Sequence, residues 1–122
     1  MSAVMVEHKP PSGLGHDLLE HWASYMRGGL PLGRASSLHE RLDRPHDEVP
    51  QEVMLVDRIV ARIGVEYPAY RRMINRYYLG REAPWQIAGI LGYTEGFVWL
   101  SLRAVADLVA RRYEELAGGL TS

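Results

Sequence analysis

The sequence predicts an all-α fold: a small helical domain with a C-terminal helix-turn-helix and a long final helix. Three observations carry this. Apolar residues recur at helical spacing, most plainly along Val53, Val56, Ile59, Val60 and Ile63. Twelve glycines and seven prolines punctuate the chain rather than fill it. No segment shows the alternation of a half-buried β-strand. With 122 residues, 47% of them hydrophobic, the chain suits a single domain with a real core.

The elements follow in order. Residues 1–14 read as a loose, flexible arm broken by Pro10, Pro11, Ser12 and Gly13. Residues 15–122 form one helical domain in three parts. The first, 15–50, opens with a helix from about Leu14 or Gly15 to Arg27, on which Leu18, Trp22, Tyr25 and Met26 share a face, and Gly28-Gly29 stops it. An irregular stretch follows, with Pro31, Gly33, Pro45 and Pro50 as breakers and room for a short helical turn through Leu38–Leu42 capped by Ser36 or Ser37. The second part, 51–80, holds a helix ending near Gly64 and another with Pro68 in its first turn, which stops at Gly80. The third, 81–117, places a helix over Ala83–Leu91, a turn at Gly92-Tyr93-Thr94, and a helix from Glu95 to about Leu116 or Ala117, ended by Gly118-Gly119.

Composition narrows the function. The chain has no cysteine, so disulfides, thiolate zinc sites and cysteine nucleophiles are excluded, in keeping with a cytoplasmic protein. No run approaches the ~18 apolar residues of a membrane span, and the first dozen residues lack the apolar stretch of a secretory signal. The net charge of −1 hides an asymmetry. Residues 1–56 carry five basic and eight acidic side chains, whereas residues 57–112 carry nine arginines against five acids. One side of the protein can therefore meet phosphate.

The stretch from Pro84 to Val98 suits two helices packed steeply across a tight turn. Ile87, Leu91 and Val98 supply apolar contacts, Ala88 is small where the helices approach, and Gly92 can take the positive φ of the turn. Thr94 can cap the second helix, and Glu95 favours its dipole. At 100° per residue, Val98, Leu102, Val105, Val109 and Leu116 form the core face. Gly96, Leu100, Arg103 and Asp107 point away, with Phe97 and Trp99 on the flanks. Such outward residues near a helix start enter the major groove, where Arg103 can reach a guanine edge or a phosphate. Arg81, Gln86 and Tyr93 are placed for backbone contacts. Helical hairpins that bind nothing share the same small-residue turn, and the apolar character of Phe97, Trp99 and Leu100 equally suits docking on a protein.

The segment from Met73 to Leu108, through Tyr77-Tyr78-Leu79, Trp85-Gln86-Ile87-Ala88-Gly89-Ile90-Leu91-Gly92 and Val98, resembles the upstream-promoter-reading domain (region 4) of bacterial sigma factors. The helix Leu18–Arg27, with Trp22, Tyr25 and Arg27, and the Ser36-Ser37-Leu38 and Arg41-Leu42 stretch are similar to the phage antitermination protein Q family. The likeness spans roughly residues 14–117, with Tyr25 standing where that family has a second tryptophan. It implies a factor that binds double-stranded DNA near a phage late promoter, through a surface drawn from Arg81, Gln86, Tyr93, Thr94, Glu95, Gly96, Phe97, Trp99, Leu100 and Arg103. The factor then engages paused RNA polymerase that still holds sigma factor, and blocks terminator hairpins where nascent RNA leaves. Polymerase contact is implied for the N-terminal helix and the irregular segment: Trp22, Tyr25, Arg27, Arg34 and Arg41. A second copy on the DNA is compatible with this reading.

Other chemistry finds little footing. Asp17 and His21 lie four apart on a helix, but no further ligands appear at metal spacing. Ser36, Ser37 and His39 form no triad pattern, and no phosphate loop is present, so neither an enzyme nor a cofactor is expected. Tyr67, Tyr70, Tyr77 and Tyr78 could stack single-stranded bases, although aromatics at helical spacing more often belong to the core. A helix-turn-helix repressor or activator, and a helical protein-interaction module, stand as alternatives.

Overall fold

The computed structural model describes residues 8–28 and 49–121, with side chains as far as residue 119. Among the described residues every regular element is helical. The expected short turn at Leu38–Leu42, and Arg34 and Arg41, lie outside them. Helix α1 runs over Leu14–Arg27, α2 over Gln51–Glu66, and α3 over Pro68–Ile74 before widening into a π-helical turn at Asn75–Leu79. Helix α4 spans Pro84–Leu91 and α5 spans Glu95–Thr121. None of them is long and apolar enough to cross a membrane.

The apolar stripes read from the sequence become two adjoining cores. The larger joins Leu18, Leu19, Trp22 and Ala23 of α1 to Val53, Val56, Ile59, Val60 and Ile63 of α2, closed by Ile74, Tyr78, Val105 and Val109. The smaller gathers Met73 of α3, Ile87 and Ala88 of α4, and Val98 and Leu102 of α5, flanked by Tyr77, Leu91 and Tyr93. It sits under the α4–α5 corner and gives that corner its own footing.

Three expectations are corrected. Helix α2 does not end at Gly64; it continues to Glu66, because the decisive signal is Pro68, which bars Tyr67 from helical geometry. Gly118-Gly119 do not end α5, which runs to Thr121. Glycine weakens a helix interior by roughly 1 kcal/mol but does not forbid it. Leu116 leaves the core face and is 38% exposed, since α5 there extends past the elements that bury Val105 and Val109.

The arm is also not loose where it is described. His8 stacks on Trp99 with ring centroids 6.2 Å apart and lies 3.5 Å from a carboxylate oxygen of Glu95. The carbonyl of Lys9 accepts a hydrogen bond from Arg103 at 2.9 Å, and Pro11 is buried. Just beyond, a Cβ on Gly15 would stand 1.7 Å from the carbonyl oxygen of Ala106, so α1 and α5 meet backbone to backbone there. Only glycine allows that approach.

Candidate nucleic-acid interface

The corner is built by local chemistry. Pro84 opens α4, and the Gln86 side-chain oxygen turns back to accept the Ala83 backbone N–H at 2.8 Å. Ala83 has no side-chain acceptor, so only half of a capping box is made. Helix α4 closes as the N–H groups of Gly92 and Tyr93 both donate to the Ala88 carbonyl at 2.9 Å. Gly92 takes φ +79°, and a Cβ placed on it would meet nothing within 4 Å, so the turn requires its conformation rather than its size. Helix α5 then starts with the Thr94 hydroxyl accepting the Phe97 N–H at 3.1 Å, the cap expected of it.

Over this corner the outward residues are mostly apolar. Leu100 is 52% exposed and Phe97 46%, and on α4 Trp85 and Ile90 reach 63% and 56%. Tyr93 is half-buried, its ring 4.9 Å from that of Phe97. Gly96 is half-buried, and Thr94 is exposed with its hydroxyl engaged in the cap. Glu95 accepts the Trp99 indole N–H at 3.1 Å, and Trp99 is half-buried between Glu95 and His8. Gln86 is exposed, its oxygen spent on the α4 start. Helix α4 covers Val98 on the inner face of the start of α5, the outward face stays open at Phe97 and Leu100, and the chain's own arm borders it.

Arg81 occupies an unusual place. It is exposed and is the one non-glycine with positive φ, +56°, among the described residues. The turn there resembles a helix C-terminal cap: Gly80 N–H donates to the Asn75 carbonyl at 2.8 Å and Glu82 N–H to the Arg76 carbonyl at 2.9 Å. The left-handed position usually held by glycine falls on Arg81, while Gly80, one residue earlier, keeps φ −83°. Arg76 and Glu82 clamp the loop with an ion pair at 3.1 Å. Left-handed backbone at a non-glycine residue is strained, and here it falls on an exposed cation just ahead of α4.

Arg103 departs from its expected role. The residue is half-buried, and its Nη1 donates to the Lys9 carbonyl, so part of its donor capacity is engaged by the arm. The polymerase-contact residues fare similarly. Trp22 is wholly buried, its indole N–H bound to Asp57, and therefore cannot touch a partner. A tryptophan on the same stripe as Leu18 and Leu19 packs inward whatever motif it belongs to. Tyr25 packs half-buried against the main core, and Arg27 donates to the Tyr78 carbonyl, tying α1 to the π-helical turn.

The remaining described side chains form no reactive cluster. Among the described residues no three His, Asp or Glu side chains converge on a metal position. His21 pairs instead with Glu52. Of the tyrosines, Tyr78 is buried and hydrogen-bonded to His16 at 2.9 Å, and burial pushes its phenol well above the ordinary value. Tyr70 and Tyr77 pack against the main core, and Tyr67 is half exposed.

Two features escaped the sequence reading. Trp85 and Ile90 flank the Gln86 and Gly89 face of α4, on either side of the buried stripe of Ile87, Ala88 and Leu91, so a helical projection of that short segment would have placed them at the edge of its open face. The placement of His8 and Lys9 on α5 had no sequence signal. Comparison of the chain with protein-family models, with curated proteins and with solved structures finds no match.

Proposed function

We propose that the chain is a DNA-binding transcription factor of the antiterminator type, which engages duplex DNA through the α4–α5 corner. One observation carries this reading: a capped, separately cored corner presents the start of its second helix with Phe97 and Leu100 exposed, while Arg81 stands exposed just ahead of its first helix. The concentration of arginine in residues 57–112 supports phosphate contact. The likeness to sigma factors and to phage Q proteins supports the finer assignment. In that assignment the protein loads at a late promoter onto polymerase holding sigma factor, works in the bacterial cytoplasm, and suppresses termination at the RNA exit.

Thymine methyl groups are the base features that Phe97 and Leu100 can meet. With Arg103 engaged by the arm and Arg81 ahead of α4 suited to a backbone phosphate, the base contact is apolar and shape-based more than bidentate. The test has two stages. Affinity of the full chain for duplex DNA should fall steeply with salt, and run-off transcription across a terminator should show added read-through on a promoter carrying its site. Salt-independent or absent binding defeats the DNA reading. Binding without read-through leaves a repressor or activator.

A second reading rests on the exposed apolar side chains of the corner, Trp85, Ile90, Phe97 and Leu100. A surface of that kind also suits docking on a protein. Under that reading Phe97→Ser abolishes partner capture while DNA has no effect at any salt concentration.

A further inference from the structure

Glu95, Trp99 and Arg103 follow one another at four-residue intervals and so line one flank of α5. The arm lies along that flank, with His8 against Glu95 and Trp99, and the Lys9 carbonyl on Arg103. Farther on, Gly15 meets Ala106. The arm thus runs in the same direction as α5, and its earliest described residues lie at the end of α5 nearest the corner. It leaves the outward face open, since Leu100 remains 52% exposed.

We propose that this arm is part of the DNA interface: Lys9 contacts a phosphate, and Arg103 is the positioning residue that holds Lys9 in place. The inference rests on the DNA reading above. Lys9 is the only lysine in the chain and is exposed, while its backbone is fixed by the Arg103 hydrogen bond. A cation anchored this way loses less freedom on binding than one on an unattached tail. A duplex groove that admits the start of α5 brings its bordering phosphates to both flanks of the helix. The arm lies along one of these flanks. Of the acids nearby, Glu95 on α5 is engaged by Trp99 and His8, which lessens its repulsion of phosphate.

The test uses the full chain and a mixed-sequence duplex, with affinity measured across a salt series. Removing one phosphate contact makes the slope of log affinity against log salt less negative by about 1. Between 50 and 200 mM salt, Lys9→Ala should therefore lose about three- to fourfold less affinity than the unaltered chain. Arg103→Ala should reproduce the slope change, and Lys9→Ala added to it should change little more, because the cation has already lost its anchor. Arg103→Lys, which still offers a donor, should restore part of the effect. A urea midpoint for Lys9→Ala equal to the unaltered chain's confirms that folding is untouched. An unchanged slope, or tighter binding on loss of Lys9, overturns the inference while leaving the DNA reading intact. An unaltered chain with no salt-dependent binding overturns both.

Discussion

The indole N–H of Trp22 on α1 donates to Oδ1 of Asp57 on α2 across 3.1 Å, and the ring itself has no exposed surface. Trp22 is thus a pin between two helices of the main core. Asp57 is partly exposed, so water can satisfy it if the indole is removed. Trp22→Phe should cost about 2 kcal/mol, one part from the lost hydrogen bond and one from the unfilled volume. Urea denaturation measures this. A variant of unaltered stability with weakened partner binding would return Trp22 to the role of a contact residue.

Gly15 and Ala106 set how closely α1 approaches α5. Because a Cβ at Gly15 would overlap the Ala106 carbonyl, Gly15→Ala should destabilise by about 3 kcal/mol. Gly89 is the control, exposed on α4 with nothing within 4 Å. Gly89→Ala should stabilise by about 0.5–1 kcal/mol through helix propensity alone. Thermal melts of the two variants should move in opposite directions.

Arg81 separates stability from function. Glycine at this position relieves a left-handed conformation but also frees the unfolded chain. Arg81→Gly should leave stability unchanged or raise it by up to about 1 kcal/mol. The same variant should weaken DNA binding and reduce its salt dependence. Unchanged DNA affinity would make the strain a property of the turn alone.

The corner depends on Gly92 and Thr94 for different reasons. Gly92→Ala meets no steric obstacle and should cost about 1–2 kcal/mol through backbone strain alone. Thr94→Ala removes the acceptor for the Phe97 N–H and should cost about 1 kcal/mol, which Thr94→Ser largely avoids. Amide hydrogen exchange should show faster opening at the first turn of α5 in both destabilised variants. Uniform loss of protection across α1 and α2 would contradict a separately cored corner.

Glu66, at the end of α2, joins α5 through Arg112, at 2.7 Å, and reaches Arg62 along its own helix at 3.2 Å. The hydrogen bond from Arg112 holds its carboxyl below the ordinary glutamate value of 4.5, with Arg62 adding to the effect. A lowered value in the folded state stabilises above the unfolded value and is lost as pH falls through the folded one. Glu66→Gln should therefore have a lower urea midpoint than the unaltered chain near neutral pH. The two should converge in strong acid, and a gap that persists there would place the effect elsewhere.

Much of the helical framework was legible in the residues. The stripe Val53–Ile63, proline at the start of α3, glycine at the corner, threonine at the start of α5 and the buried face Val98, Leu102, Val105 and Val109 all express local rules. Each is set by neighbours within about one or two helical turns, so periodicity and capping chemistry suffice to read it. Long-range packing, by contrast, settled which charged and aromatic residues remain available. Arg103 meets a carbonyl 94 residues away, Arg27 one 51 residues away, and Trp22 a carboxylate 35 residues away. No spacing rule reaches across such distances. The left-handed Arg81 likewise follows a π-helical turn from which Tyr78 enters the main core, and the glycine beside it does not take that conformation. A helix can be inferred from its own sequence, but the partner of a polar side chain depends on what the fold brings to it.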